Sequence, residues 1–205
     1  MKRRQTDEGI FLRVFDDAIG AIEGSGIPYG VIGGIASAAL GRPRWSQDGE
    51  DIDVLVRPED ARRVLEDLRT AGFAEEAADH EWLYKGVKEE VTVDVIFKSS
   101  GDIYLDAEMQ DRLRTEDFKG RRITVVSPED LVVMKAVAHD EETPQYWHDA
   151  LSLVARSEMD WDYLVKRARR HGARRVLSLL LYAQSIDLVV PHEVIKTLFS
   201  MVSPP

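Results

Sequence analysis

Asp51-Ile52-Asp53 sets two carboxylates two residues apart in a segment, Asp51 to Val56, where acid and apolar side chains alternate. On a strand such residues share a face and stand about 6.5 to 7 Å apart. A second alternating segment, Val91 to Phe97, has Val91, Val93, Val95 and Phe97 on one side and Thr92, Asp94 and Ile96 on the other, so Asp94 is a third acid on an otherwise apolar strand. Three carboxylates brought together repel unless a cation neutralises them or one is protonated. Oxygen donors at that density suit Mg²⁺ or Mn²⁺. Two such ions about 3.5 to 4 Å apart can lower the pKa of an attacking hydroxyl and neutralise a transferring phosphoryl group. Gly33-Gly34 sits between an apolar strand, Tyr29 to Ile32, and a small-residue helix, Ile35 to Leu40. Backbone N–H groups at such a helix start bind phosphate without a charged side chain. Acids that merely solubilise an edge strand, with Asp94 remote from the other two, would give the same local pattern.

The elements that must position these residues follow from periodicity. Ile10, Phe11, Val14, Phe15, Ala18, Ile19 and Ile22 recur at threes and fours, which predicts an opening helix from Thr6 to about Glu23, ended by Gly24-Ser25-Gly26. Pro58-Glu59-Asp60 begins another helix, with Ala61, Val64, Leu65 and Leu68 as its apolar face and Gly72 at its end. Glu81 to Lys85 and Val91 to Phe97 read as a hairpin, and Arg122 to Val126 as a third strand after an irregular stretch. From Ser127 the pattern is helical: Ser127-Pro128-Glu129-Asp130 resembles a capping box, with Asp where Glu or Gln is usual. Helices are expected over 128–139, 145–156, 160–171, 173–185 and 191–201. The organisation is an α/β core, residues 1–126, followed by a helical part, residues 127–205.

At this point the residues carry a resemblance. Gly33-Gly34-Ile35-Ala36-Ser37-Ala38-Ala39-Leu40-Gly41, Arg44, Asp51-Ile52-Asp53-Val54 and Val93-Asp94-Val95-Ile96 resemble the glycine pair, paired acid and third acid of the DNA polymerase β-like nucleotidyltransferase superfamily. The subgroup they are most similar to is the small bacterial nucleotidyltransferases that include type IV toxin-antitoxin toxins and abortive-infection proteins. Ser127 to Leu131, Lys135 and His148-Asp149-Ala150-Leu151 extend the resemblance to about residue 155. It implies an α+β fold with a mixed sheet and a C-terminal helical bundle. It also implies Mg²⁺- or Mn²⁺-dependent transfer of a nucleoside monophosphate from an NTP to a hydroxyl on RNA such as tRNA, on protein or on a small molecule, with release of pyrophosphate. By the same resemblance Asp51 and Asp53 hold both metals, and Asp94 completes the site and acts on the incoming hydroxyl. Gly33, Gly34 and Ser37 contact the triphosphate, and an antitoxin partner is possible for a toxin-type member. The chain departs from the pattern in a longer Trp45 to Glu50 stretch, where Ser46 stands for a Thr, and in Tyr146, where many relatives carry an acid. A degenerate, non-catalytic partner protein is the class-distinct alternative, and retention of all three acids disfavours it.

Lys135 is the lone charge in Leu131 to Ala138, a run apolar nearly all round, and must find an anion or snorkel to water. The resemblance makes that anion the triphosphate; Asp149 either orients this lysine or caps its own helix. His139-Asp140 and His148-Asp149 raise a competing His-Asp metal phosphohydrolase, which leaves the acid strands unexplained. A dinucleotide fold fails because Gly30, Gly33 and Gly34 lack the Gly-x-Gly-x-x-Gly spacing. Lys166 to Arg175 carries six basic side chains and no acid on an otherwise acidic chain of net charge −10. That stretch could hold a phosphate backbone, but a solvated helix face is the commoner outcome, and the net charge disfavours a broad grip on nucleic acid. With no cysteine in 205 residues, disulfides, thiol catalysis and thiolate metal sites are excluded, and a reducing compartment, by default the cytoplasm, is expected. No run of about 18 apolar residues marks a membrane span.

Overall fold

The computed structural model describes residues 7–41 and 51–203. In chain order the elements are α1 (Glu8–Gly24), β1 (Tyr29–Val31), α2 (Gly33–Leu40), β2 (Ile52–Val56), α3 (Pro58–Thr70), β3 (Ala74–Glu76), β4 (Leu83–Lys88), β5 (Val91–Ile96), α4 (Ala107–Gln110), β6 (Arg114–Phe118) and β7 (Arg121–Val125). The helices α5 (Pro128–Ala138), α6 (Pro144–Arg156), α7 (Trp161–His171), α8 (Ala173–Ser185) and α9 (His192–Val202) complete it. The strands form a mixed sheet in the order β3-β4-β5-β2-β1-β7-β6. β2 runs parallel to β5, and β1 parallel to β7, while β1 and β2 are antiparallel.

The expected helices and strands are present with small shifts at their ends, but two strands escape the sequence. β3 and β6 are edge strands of Ala-Glu-Glu and Arg-Thr-Glu-Asp-Phe, held by antiparallel pairing to β4 and β7. β3 is exposed throughout and β6 buries only Phe118, so neither carries the apolar alternation by which a half-buried strand is recognised. The region before β7 is therefore not irregular throughout.

The two faces of the sheet are covered differently. α1 and α3 pack together and against β4 and β5. Gly86 of β4 meets Leu68 and Phe73 on that side. Successive strand residues point to opposite faces, so Lys85, and with it its cross-strand neighbours, faces the other way. That second face meets α2 and α5. α5 is the hub of the helical part: its residues from Pro128 to Ala136 are all buried, and α6, α7 and α8 pack around it. A helix apolar nearly all round needs such an enclosure, and Leu131, Val132, Val133 and Met134 each contribute about 1.5 to 3 kcal/mol by leaving water. Its N-terminus is half of a capping box. Ser127 Oγ accepts from the Asp130 N–H at 3.2 Å, but the short Asp130 side chain takes the Ser127 hydroxyl at 2.9 Å. Among the described residues no helix is long and apolar enough to cross a membrane.

Candidate active site

Parallel pairing of β2 with β5 places Asp53 opposite Asp94 in register, and antiparallel pairing of β5 with β4 places Lys85 opposite Asp94. One row across three strands therefore reads Asp53, Asp94, Lys85, all on the face covered by α2 and α5. Adjacent strands are about 4.8 Å apart, so the two acids are close neighbours rather than remote ones. The Lys85 ammonium binds Asp94 Oδ1 at 2.6 Å, with both side chains largely buried. Asp51, just before β2, adds a third negative charge.

The Asp53 carboxyl reaches the cavity beside it yet is surrounded by protein. It is pushed up from the ordinary aspartate range to about 7, first by burial and then by the facing charges of Asp94 and Asp51, with Lys135 and Lys85 pulling the other way. Gly33 lies directly over it. The turn from β1 into α2 requires φ +68° at this residue, and a Cβ there would stand 1.9 Å from Asp53 Oδ2, so both backbone and space demand glycine. The Ile32 N–H donates to the Asp53 carbonyl at 3.0 Å and locks turn to strand. Ser37 is buried and its hydroxyl donates to the Gly33 carbonyl at 2.8 Å, so it braces the turn from within the helix. Gly34 follows Gly33 in the first turn of α2.

Lys135 comes from the opposite wall. It is 5% exposed and does not snorkel: its ammonium binds Asp149 of α6 at 2.8 Å and lies 5.1 Å from the centre of the Tyr146 ring. Asp149 thus orients the lysine. A cavity of about 550 Å³ lies between the sheet face and α5, with Gly33 and Asp53 on one side, Lys135 and Tyr146 on another, and Trp82 and Ile96 closing it. Residues 98–102 form its rim, where Ser99 is bridged to Ile103, Lys98 pairs with Asp102 at 2.9 Å and His171 Nδ1 stands 3.0 Å from the Gly101 carbonyl. Sequence reasoning missed Trp82 and the partnership of Lys85 with Asp94. The only signal for the latter was that Lys85 alternates with apolar neighbours, Leu83 and Val87, on its strand face.

The donor set suits a hard cation, because Asp53 and Asp94 are oxygen ligands whose mutual repulsion a cation would relieve. As the side chains stand, no three His, Asp or Glu side chains among the described residues are close enough together to hold one. Arg44, Trp45, Ser46 and the rest of residues 42–50 lie outside the described residues.

The remaining motifs are used structurally. The His139 ring packs on Trp147 at 4.9 Å, Asp140 accepts the Thr143 N–H and hydroxyl, and Asp149 is taken by Lys135. No His-Asp centre results among the described residues. In the basic stretch, Lys166 binds Glu108, Arg167 binds Asp130 and Asp106, and Arg170 reaches Asp106. Arg174 and Arg175 donate to the carbonyls of Val202 and His139.

A mixed sheet carrying paired acids beneath a glycine turn, with helices closing the other side, is the arrangement that the resemblance to the DNA polymerase β-like nucleotidyltransferase superfamily implies. The solution structure of the antibiotic-resistance factor ANT(2'')-Ia superposes with TM-score 0.56 at 15% identity, covering 88% of this chain and 95% of that one. The crystal structure of ANT(2'')-Ia in complex with adenylyl-2''-tobramycin gives 0.55 at 15% identity, over 87% and 99%. The lincosamide antibiotic adenylyltransferase LnuA, lincomycin-bound, gives 0.51 at 17% identity, over 73% and 98%. Residues 7–190 match the family described as uncharacterised nucleotidyltransferase, and the chain belongs to that family. It is a transferase of nucleotides. No curated protein matches it in sequence.

Proposed function

We propose that the protein transfers a nucleoside monophosphate from an NTP to a hydroxyl group of a small molecule, with release of pyrophosphate, in a reaction dependent on Mg²⁺ or Mn²⁺. The observation that carries this reading is the Asp53 carboxyl, set in register beside Asp94 and pushed up to about 7 under a glycine that leaves room for it. Asp51 and Asp53 would hold the metal, with Asp94 completing the set. When bound, the metal supplies charge neutralisation at the transferring phosphoryl group and acidifies the attacking hydroxyl.

The chain's own residues do the rest. The N–H groups of Gly33 and Gly34 at the start of α2 receive the phosphates. Ser37 acts one step back by fixing the Gly33 carbonyl. Lys135, held in place by Asp149, adds a positive charge on the far wall. Asp94 faces the acceptor hydroxyl and takes its proton as the new P–O bond forms and the bond to pyrophosphate breaks. In this reading residues 1–126 are the catalytic core, and residues 127–205 are a helical part packed on it that contributes Lys135 and Tyr146.

A small acceptor is favoured over tRNA by two features. The cavity has an apolar wall of Trp82, Ile96 and Tyr146 and a rim bearing acids as well as Lys98. The basic stretch, the candidate grip on a phosphate backbone, is largely engaged within the protein. ANT(2'')-Ia bound to an adenylylated tobramycin and LnuA bound to lincomycin support a small-molecule acceptor by analogy of fold.

The test is a thermal-shift screen of the four NTPs with and without Mg²⁺, on wild type and Asp53→Ala, followed by pyrophosphate release with tobramycin, lincomycin or total tRNA as acceptor. Metal-dependent stabilisation of wild type alone by an NTP is expected. Stabilisation by no nucleotide would sink the enzymatic reading and favour a non-catalytic partner. Pyrophosphate release with tRNA alone would overturn the acceptor.

A further inference from the structure

Lys85 is the one side chain in the acid row that the family pattern did not lead us to expect, and its placement is fixed by the sheet. It lies on β4 in register with Asp94, which is itself in register with Asp53 on β2. On its other side Lys85 is in register with Glu76 of β3, which is exposed. The ammonium stands 2.6 Å from Asp94 Oδ1, with the lysine side chain 23% and the aspartate side chain 12% exposed. A pair this short and this sheltered is a charge-assisted hydrogen bond that solvent screens weakly. The strand alternation leaves Leu83 and Val87 flanking Lys85 on its own face, so the ammonium has little reason to be there except for the acid row.

Resting on the reading of this face as the nucleotidyl-transfer site, we infer that Lys85 is a positioning residue for Asp94. Its ammonium holds Oδ1, fixes the plane of the Asp94 carboxylate toward Asp53, and supplies one of the positive charges that let the acids be gathered before any metal arrives. It therefore acts at once as an organiser of the acceptor-side acid and as a competitor of the metal for that acid. Removing it separates these two effects: the acid row becomes more negative, so a cation binds more tightly, while Asp94 loses its fixed orientation, so transfer slows.

The experiment uses the full chain as wild type, Lys85→Met, Lys85→Gln and Lys85→Arg, with free Mn²⁺ measured by electron paramagnetic resonance in the absence of nucleotide and turnover measured as pyrophosphate release. Lys85→Gln keeps a hydrogen-bond donor to Asp94 without the charge, so it remains informative if Lys85→Met does not fold. Loss of a unit charge at this range is expected to tighten Mn²⁺ binding about tenfold in the Met and Gln variants. In the Met variant kcat falls while the KM for NTP changes little, and Lys85→Arg stays near wild type in both measures. A folded Gln variant with unchanged Mn²⁺ affinity overturns the inference, since a merely structural lysine would alter unfolding and not metal affinity. If the wild type binds no Mn²⁺, both this inference and the metal-dependent reading of the site fall. If it binds and the variants match it, only the role of Lys85 falls.

Discussion

Asp130 and Asp53 are both aspartates drawn into the interior, yet their surroundings are built in opposite ways. Asp130, at the start of α5, meets Arg167 Nε at 2.8 Å and accepts the hydroxyls of Tyr163 and Ser127, each at 2.9 Å. Arg167 is 1% exposed and reaches on to Asp106 at 2.6 Å, so α7 is tied both to α5 and to the loop before α4. Asp53 instead faces Asp94 and Asp51, with positive charge only from Lys135 and Lys85, each of which already binds another acid. Burial raises both carboxyls, but around Asp130 the guanidinium pulls back, whereas around Asp53 the next strongest influence is another acid. A buried charge whose neighbours compensate it holds a fold together; one whose neighbours repel it is poised for something from outside.

Mutating the two centres should move activity and stability in opposite directions. Asp53→Asn removes the repelled charge while keeping the shape. Nucleotidyl transfer is expected to fall on the order of 10³-fold, read as kcat/KM from pyrophosphate release, while the midpoint of thermal unfolding rises. A fall in both would mean that Asp53 is a structural acid like Asp130.

Arg167→Met is the complementary change. It strands Asp130 without its cation and should destabilise the protein by about 3 to 5 kcal/mol in urea unfolding, with little loss of activity per folded molecule. Adding Asp130→Leu should recover most of that stability, because an apolar pair of similar volume does not need the ion pair. Failure of the double variant to recover would show that Ser127 and Tyr163, rather than the charge, anchor α7.

Gly33→Ala has a smaller expected effect on folding, about 1 to 3 kcal/mol for the left-handed backbone, but it drives a methyl group into Asp53 Oδ2. Activity should fall while the stability of the Asp130 centre, followed by hydrogen exchange in α5 and α7, stays as in wild type.

A final effect is one of pH. The folded Asp53 carboxyl titrates near 7 and an unfolded aspartate near 3.8, so between these values the folded state binds more protons. Stability should therefore decline as pH rises from about 4 to about 7, and be level above that, for this group's contribution. Asp53→Asn should abolish that part of the slope, and saturating Mg²⁺ should reduce it by favouring the charged carboxylate. A slope identical in the Asn variant would assign the titration to another group.

Much of the site was legible because its residues obey short-range rules. Asp51-Ile52-Asp53 and Val93-Asp94-Val95 declare strands by alternation, and Gly33-Gly34 declares a turn where only glycine fits. What could not be read was every relation that crosses between elements. Lys85 became part of the acid row only when β4 paired with β5 in one register. A slip of a single residue would have turned it to the α3 face. β6 has no apolar alternation because it lies at the sheet edge, and it exists through its bonds to β7 rather than through its own composition.

By itself the sequence determined that three aspartates and a glycine turn belong to an α/β core, that α5 is enclosed, and that cysteine chemistry plays no part, since periodicity and residue type suffice for each. Only the tertiary structure decided which charges are compensated. It took Arg167 out of an apparently solvent-facing basic stretch and buried it against Asp130, took Asp149 for Lys135, and left Asp53 facing its own kind. The physical reason is that Coulomb energy and desolvation depend on distances of a few ångströms between residues far apart in the chain, and no local pattern encodes those distances.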